Sequence, residues 1–284
     1  MRTKNFILPG GFLDEAGKLH GLVEIAEMTG RVQAEIVAKK GNMAHATNAL
    51  LTACLKKLGD IPKLGLMTWK TMLGGDRDFV MFHAMRPWRG GTEAEVVTGH
   101  VECQGCKARI ILPDVEISSF KKYVLKDAAL AFKDVETGSE ECEIVVIEDV
   151  ERGKNPDDPT DCIFKLKDDG YGVNAVFRLP IGIDQERIAS AAQKNQADAR
   201  HALYAFTCKE WDGKPGSYSK DFFADMPTSV LDWLWEQIKA RTPGLEPDVQ
   251  ARCDSCNAVT EAHISDFLPT AARAKRSSTT RSSG

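Results

Sequence analysis

Two CxxC pairs, Cys103-Gln-Gly-Cys106 and Cys253-Asp-Ser-Cys256, lie 150 residues apart in a chain of 284. Two cysteines cannot close a four-coordinate site, but two pairs make the closed tetrahedral thiolate set of a structural zinc, with no position left for water. Cys103, Cys106, Cys253 and Cys256 are therefore candidate ligands of a single Zn2+ ion. If one ion binds all four, the two ends of a long intervening segment must fold back on each other, and metal binding becomes folding energy. Disulfides within or between the pairs, and unligated thiols, are the alternatives. His100 and His263, which lie near the pairs, are substitute ligands.

The flanks of the first pair favour a knuckle. Val96, Val97 and Val101 lead in, and Ile110, Ile111 and Leu112 lead out, which predicts a hairpin with CxxC at its turn. Such a turn aims both thiolates and nearby backbone amides at one metal. The other four cysteines, Cys54, Cys142, Cys162 and Cys208, stand alone. Cys54 falls on the apolar stripe of a helix expected over Met43–Leu58, with Gly59 as its C-cap, and reads as a core residue. A Cys142–Cys162 disulfide is disfavoured, because residues that each begin a strand of a simple hairpin lie at opposite ends of its ladder.

Elsewhere, Phe6–Gly21 reads as strand, turn at Pro9, Gly10 and Gly11, and second turn at Asp14–Gly17. Asp76 is placed to cap a helix over Arg77–Arg86 that stops at Pro87, with His83 as a packing residue on its apolar face. Cys142–Val150, Cys162–Asp168 and Val173–Leu179 read as a β-meander; Asp157, Asp158 and Asp161 read as a solvated turn, not a cation site. Helices are expected from Asp184 to about Cys208 and from near Pro227, the latter carrying Val230, Leu231, Leu234, Trp235 and Ile238 on one face with Pro243 just past its end, and with Trp233 and Trp235 structural. Ala271–Gly284 is a basic, Ser-rich tail without apolar period.

The two cysteine pairs are followed by similar residues, Ile117-Ser-Ser-Phe120 and Ile264-Ser-Asp-Phe267, and Phe6–Gly11 (FILPGG) is echoed by Phe177–Gly182 (FRLPIG). The offsets, 171 residues for the second echo and 150 for the cysteines, require insertions or deletions. The fold expected is α+β: two pseudo-repeated halves, each with strands, helices and a CxxC knuckle, joined by the meander and held by a zinc-ribbon-like four-cysteine site. The units are 1–135 with the first knuckle, 136–180 as the β-meander connection, 181–270 as a helical half with the second knuckle, and 271–284 as the tail.

Composition bounds the function. With 37 basic and 41 acidic side chains the net charge is −4, so no global field favours nucleic acid or an anionic membrane. No stretch approaches the ~18 apolar residues of a membrane span, and no signal peptide is readable in Met1–Asp14, so a cytoplasmic chain with reduced thiols is expected. No GxSxG, Gly-rich phosphate loop or HExxH motif is present, and nothing supports an enzyme.

Phe6–His20 (FILPGGFLDEAGKLH), Gly74–Met85 (GGDRDFVMFHAM), the CQGC…ISSF knuckle, FRLPIGID and the closing CDSC…ISDFL together resemble the baseplate hub and hub-assembly proteins of contractile-tailed bacteriophages. The similarity spans nearly the whole chain, Phe6–Leu268, and departs at Gly21 and Leu22, where a basic–acidic pair is expected. It implies a non-enzymatic structural or assembly component made in the host cytoplasm and placed in the virion tail baseplate. Its partners would be other tail proteins, and its cysteine knuckles map onto Cys103, Cys106, Cys253 and Cys256. The alternatives are a zinc-knuckle nucleic-acid-binding protein, against which the acidic balance speaks, and a CxxC redox protein, whose dithiol ordinarily sits at a helix N-terminus.

Overall fold

Phe6 and Leu8 are fully buried on one side of the opening ribbon, Thr3–Leu13 paired antiparallel with Leu19–Ala26. Pro9, Gly10 and Gly11 do not turn the chain as expected; the strand continues through them, and its pairing slips between Ile7 and Phe12 as a bulge. Two local causes are visible. Gly11 takes a φ of 68°, and the Gly10 amide donates to Asp76 Oδ1 at 2.7 Å. The reversal comes at Asp14, whose carboxylate accepts the amides of Ala16 and Lys18.

These details come from a computed structural model that describes residues 3–38, 43–86, 88–89, 92–93, 96–103, 105–135, 142–153, 161–192, 196–247 and 249–262. Asp157, Asp158, Pro87, His263, the Ile264–Phe267 echo and the basic tail lie outside them. The architecture is mixed α+β, with several small sheets and helices packed around two hydrophobic clusters. No helix among the described residues is long and apolar enough to cross a membrane.

Three expected elements differ in the structure. The helix from Met43 ends at Cys54, and Leu55–Leu58 leaves it as a strand beside Leu19–Ala26. Leu55 and Leu58 are buried and Lys56 and Lys57 exposed, a helix-like spacing that the strand accommodates because its pairing slips between Leu55 and Lys57, bringing both leucines to one face. Gly59 ends that strand at φ 50°, its amide donating to the Leu22 carbonyl at 2.7 Å, and caps no helix. Cys54 is fully buried, as its stripe indicated.

The helix expected over Arg77–Arg86 runs from Gly74 to Met85, so Asp76 lies inside its first turn and does not cap it. Its carboxylate is committed to Gly10, while the first-turn amide of Gly74 is satisfied by the Pro180 carbonyl at 2.9 Å. Tertiary hydrogen bonds thus replace the local cap. His83 packs against the rings of Phe6 and Phe79, at centroid distances of 4.1 and 4.5 Å.

Of the three segments expected to form the meander, the last two belong to one antiparallel sheet of five short strands, Glu151–Arg152 to Lys214–Pro215, and the first does not. Cys162–Asp168 and Val173–Arg178 pair in register, but Glu143–Ile147 joins a different sheet, parallel to Phe120–Leu125, which in turn pairs antiparallel with Gly244–Pro247. The helix Lys126–Ala131 carries the parallel crossover that such a pair requires. No disulfide joins Cys142 and Cys162: Cys162 opens its strand, whereas Cys142 precedes the strand Glu143–Ile147 of another sheet and donates to the Ile117 carbonyl at 3.3 Å. Asp161 is buried and pairs with Lys209 at 2.7 Å and with Arg178 at 3.8 Å, so it is not a solvated turn residue.

Aligning the elements reveals a tandem repeat. The first set is strand Thr3–Leu13, strand Leu19–Ala26, helices Gly30–Ala38 and Met43–Cys54, strand Leu55–Leu58, helices Leu66–Thr71 and Gly74–Met85, and a hairpin, Val96–Glu102 with Arg109–Glu116. Apart from the short strands Trp88–Arg89 and Thr92–Glu93 in the first set and Lys214–Pro215 and Gly244–Pro247 in the second, the second set repeats that order: strands Cys162–Asp168 and Val173–Arg178, helices Gly182–Ala192 and Gln196–Thr207, strand Cys208–Trp211, helices Lys220–Ala224 and Thr228–Arg241, hairpin Gln250–Arg252 with Val259–Glu261. Small irregularities recur too. The pairing slips between Glu24 and Ile25 in one set and between Val176 and Phe177 in the other. The amide of Gly59 donates to Leu22, and that of Asp212 to Asn174, both at 2.7 Å. Asp14 and Asp168 each accept two amides at the first turn.

This register corrects the expected echo. Val173–Arg178 answers to the second strand, Leu19–Ala26, so FRLPIG does not correspond to FILPGG. The second set also begins at Cys162, which draws part of the supposed connection into the repeat.

The two sets meet around Gly74–Arg77. Gly182 donates to the Met72 carbonyl at 2.9 Å, reciprocating the bond from Gly74 to Pro180, and packs so closely on Arg77 that a Cβ on Gly182 would stand 1.8 Å from the guanidinium. A Cβ on Gly75 would stand 1.6 Å from the Pro243 carbonyl oxygen, so only glycine admits this approach. The second hairpin also crosses over: its buried Ala251 and Ala262 belong to the hydrophobic cluster of the first set, with Val97, Val101 and Leu112.

Candidate metal centre

Each CxxC forms the turn of a hairpin, and the two turns are built alike. In the first, the Cys103 amide donates to the Ala108 carbonyl at 2.8 Å and the Lys107 amide to the Cys103 carbonyl at 2.9 Å. In the second, Cys253 donates to Ala258 at 2.9 Å and Asn257 to Cys253 at 2.8 Å. The paired residues also correspond, with Glu102 opposite Arg109 and Val101 opposite Ile110 in one, and Arg252 opposite Val259 and Ala251 opposite Thr260 in the other.

The turns face each other. Cys103 Sγ lies 3.4 Å from Cys256 Sγ and Cys106 Sγ 3.5 Å from Cys253 Sγ, and all four sulfurs fall within 4.8 Å of one another. Exchanging the knuckles exchanges these two contacts, so the cluster has the symmetry of a pseudo-two-fold axis. Four thiolates at the ordinary Zn–S distance of ~2.3 Å occupy a tetrahedron with edges of ~3.8 Å, which this cluster brackets. The separations are far beyond the ~2.05 Å of a disulfide, and all eight cysteines are free. The sequence-identified ligands are thus brought together as one possible metal-binding cluster; His100 is not part of it, and Cys54, Cys142, Cys162 and Cys208 lie elsewhere.

Backbone amides complete the site. The amides of Cys106 and Gly105 donate toward Cys103 Sγ, and chiefly the former brings this thiol down to about 6, against the effect of burial. The Ala258 amide similarly favours the Cys256 thiolate, but the hydrogen bonds linking Cys256 to Cys103 and Cys106, with burial, hold it up at about 12. The Cys106 thiol is also raised: the Ala108 amide works toward its thiolate, and the bonds to Cys253 and Cys103 outweigh it. Cys103 readily carries charge, and Cys106 and Cys256 resist it, as crowded thiols do. A dication held by the four sulfurs would remove that resistance.

By contrast the buried Cys162 and Cys208 thiols are pushed up by desolvation to about 12, and Cys54 to about 11. They are inert packing groups. Sequence reasoning missed the supporting residues of the centre, Gly105, Lys107, Ala108, Asn257 and Ala258. One signal was available: Lys107 and Asn257 follow their second cysteine directly and hold φ of 63° and 60°, a conformation that asparagine tolerates better than most residues.

No family model, curated protein or solved structure matches the chain.

Proposed function

We propose that this is a non-enzymatic structural or assembly protein in which one zinc ion, held by Cys103, Cys106, Cys253 and Cys256, locks two tandem modules together. The observation that carries the reading is that each module contributes one knuckle, so that a metal at the centre joins segments 150 residues apart. Four sulfur donors leave no open coordination position for a substrate or water, which favours a structural ion over a catalytic one. Thiolate donors of this number and geometry suit zinc, and carboxylate-preferring cations are poorly served by them.

The ordered motifs GGDRDF, CQGC…ISSF and CDSC…ISDFL support assigning the protein to the baseplate of a contractile phage tail, assembled in the host cytoplasm through contacts with other tail proteins. A redox dithiol is less well supported, because both CxxC pairs lie in hairpin turns and not at helix N-termini. A nucleic-acid-binding knuckle is disfavoured by the net charge of −4.

The test has two arms. Native protein should contain one zinc per chain by elemental analysis, and tagged protein from infected cells should co-purify with tail components. A protein that is metal-free when prepared under reducing conditions contradicts the first part; a monomer without phage partners contradicts the second.

A further inference from the structure

Exposure divides the four thiols of the centre in a regular way. Cys103 and Cys253 are buried, whereas Cys106 and Cys256 are exposed. Each of the two shortest sulfur contacts joins one of each kind, Cys106 to Cys253 at 3.5 Å and Cys256 to Cys103 at 3.4 Å. Both contacts also cross from one knuckle to the other. Reagents in solution therefore meet a thiolate whose near neighbour across the joint is sheltered and held against it.

We propose that the exposed pair is a modification site for hydroperoxides, and that the oxidised centre closes as two disulfides, Cys106–Cys253 and Cys103–Cys256, which keep the modules joined after the metal leaves. The proposal rests on the metal-centre reading above. In the first step Cys106, which a bound dication would keep as a thiolate, attacks the terminal oxygen of a hydroperoxide; the O–O bond breaks, the sulfur becomes a sulfenic acid, and the departing alkoxide or hydroxide takes a proton from water. In the second, the Cys253 thiolate attacks the sulfenic sulfur, the S–S bond forms, and the expelled hydroxide takes a proton. Cys256 and Cys103 repeat the sequence. Each disulfide consumes one hydroperoxide, reduced to an alcohol or water plus one further water, and loss of the thiolates frees the dication.

The consequence is specific. Disulfides inside each CxxC would release the two knuckles from each other, whereas the cross-knuckle pairs replace the metal joint by a covalent one. The buried Cys54, Cys162 and Cys208 lie outside this chemistry, being shielded from the reagent.

The experiment is a hydrogen peroxide titration of the full-length, metal-loaded protein. Metal release is followed with a chromogenic chelator, and the disulfides are mapped by non-reducing digestion that includes cleavage before Asp254, which separates Cys253 from Cys256, with mass-spectrometric fragmentation of the linked peptides between Cys103 and Cys106. Two equivalents of peroxide should release one metal ion and give the linkages 106–253 and 103–256. The double variant Cys103→Ser/Cys256→Ser, which retains the other contact, should give the 106–253 linkage alone. Disulfides confined to each CxxC, linkages 103–253 and 106–256, or sulfinic acids at Cys106 and Cys256 without cross-links would overturn the proposal. If the protein holds no metal at the outset, the metal-centre reading fails, and the disulfide map of the same thiols still decides this one.

Discussion

Lys107 and Asn257 occupy the same left-handed backbone conformation, φ 63° and 60°, at equivalent positions of the two cysteine turns. Each closes its turn by donating its amide to the carbonyl of the first cysteine. A β-branched residue resists this conformation, by roughly 1–2 kcal/mol, whereas glycine accepts it freely. Lys107→Val and Asn257→Val should therefore each lower stability by about that amount and weaken metal retention. Lys107→Gly and Asn257→Gly should stay close to the parent in urea unfolding and in competition with a chelator.

Gly75 and Gly74 make a controlled pair. A Cβ on Gly75 would run into the backbone carbonyl of Pro243 at 1.6 Å, whereas one on Gly74 meets first the Gln185 side-chain amide at 3.0 Å, which can move. Gly75→Ala should cost about 3 kcal/mol or more, since neither backbone can yield without disturbing the junction of the modules. Gly74→Ala should change stability by less than about 1 kcal/mol. Denaturant midpoints of the two variants test the difference.

Arg178 and Asp184 form a two-pronged pair with bonds of 2.6 and 2.8 Å, the carboxylate fully buried. Asp184 also accepts the Ile181 amide at 2.9 Å, which fixes the entry to the helix Gly182–Ala192. Asp184→Ala leaves the guanidinium buried without that partner and should destabilise by about 3–5 kcal/mol. Equilibrium unfolding of the variant measures the loss.

Asp76 sets a pH dependence. Burial is the main cause that pushes its carboxyl up from 3.8 to about 7, against the opposing effects of the Gly10 amide and Arg152. The folded state therefore holds a proton that the unfolded chain has already released above pH 4. Stability from this group is complete below about pH 4, falls as pH rises toward 7 and levels off above it, a change of roughly 4 kcal/mol. Asp78, raised by burial to about 6, adds a slope of the same sign. Asp76→Asn should flatten most of the decline between pH 4 and 7 in urea unfolding, leaving the share due to Asp78.

Much of this was legible in the residues, for physical reasons that also mark where reading failed. The four ligands were legible because thiols at CxxC spacing between β-branched flanks have few competing explanations. Buried stripes, such as those of Cys54 and of Leu234 with Ile238, followed from period alone. Boundaries set by distant partners were not legible: Asp76 looked like a cap because its partner Gly10 is 66 residues away. Leu55 and Leu58 have helix spacing, and the slip in pairing with the neighbouring strand that lets both be buried leaves no mark in the residues. The repeat was visible at the cysteines but mis-registered upstream, where the shared features are a slip in pairing and amide bonds at turns, none of which constrains side-chain identity strongly.

X-ray absorption at the zinc edge, with elemental analysis of protein prepared under reducing conditions, addresses the central claim most directly. The account predicts one zinc per chain with four sulfur neighbours at ~2.3 Å, lost together with cooperative unfolding when Cys253→Ser and Cys256→Ser remove the second knuckle. A zinc shell containing nitrogen or oxygen donors, or a folded, stable protein with no bound metal and four free thiols at the centre, would contradict it.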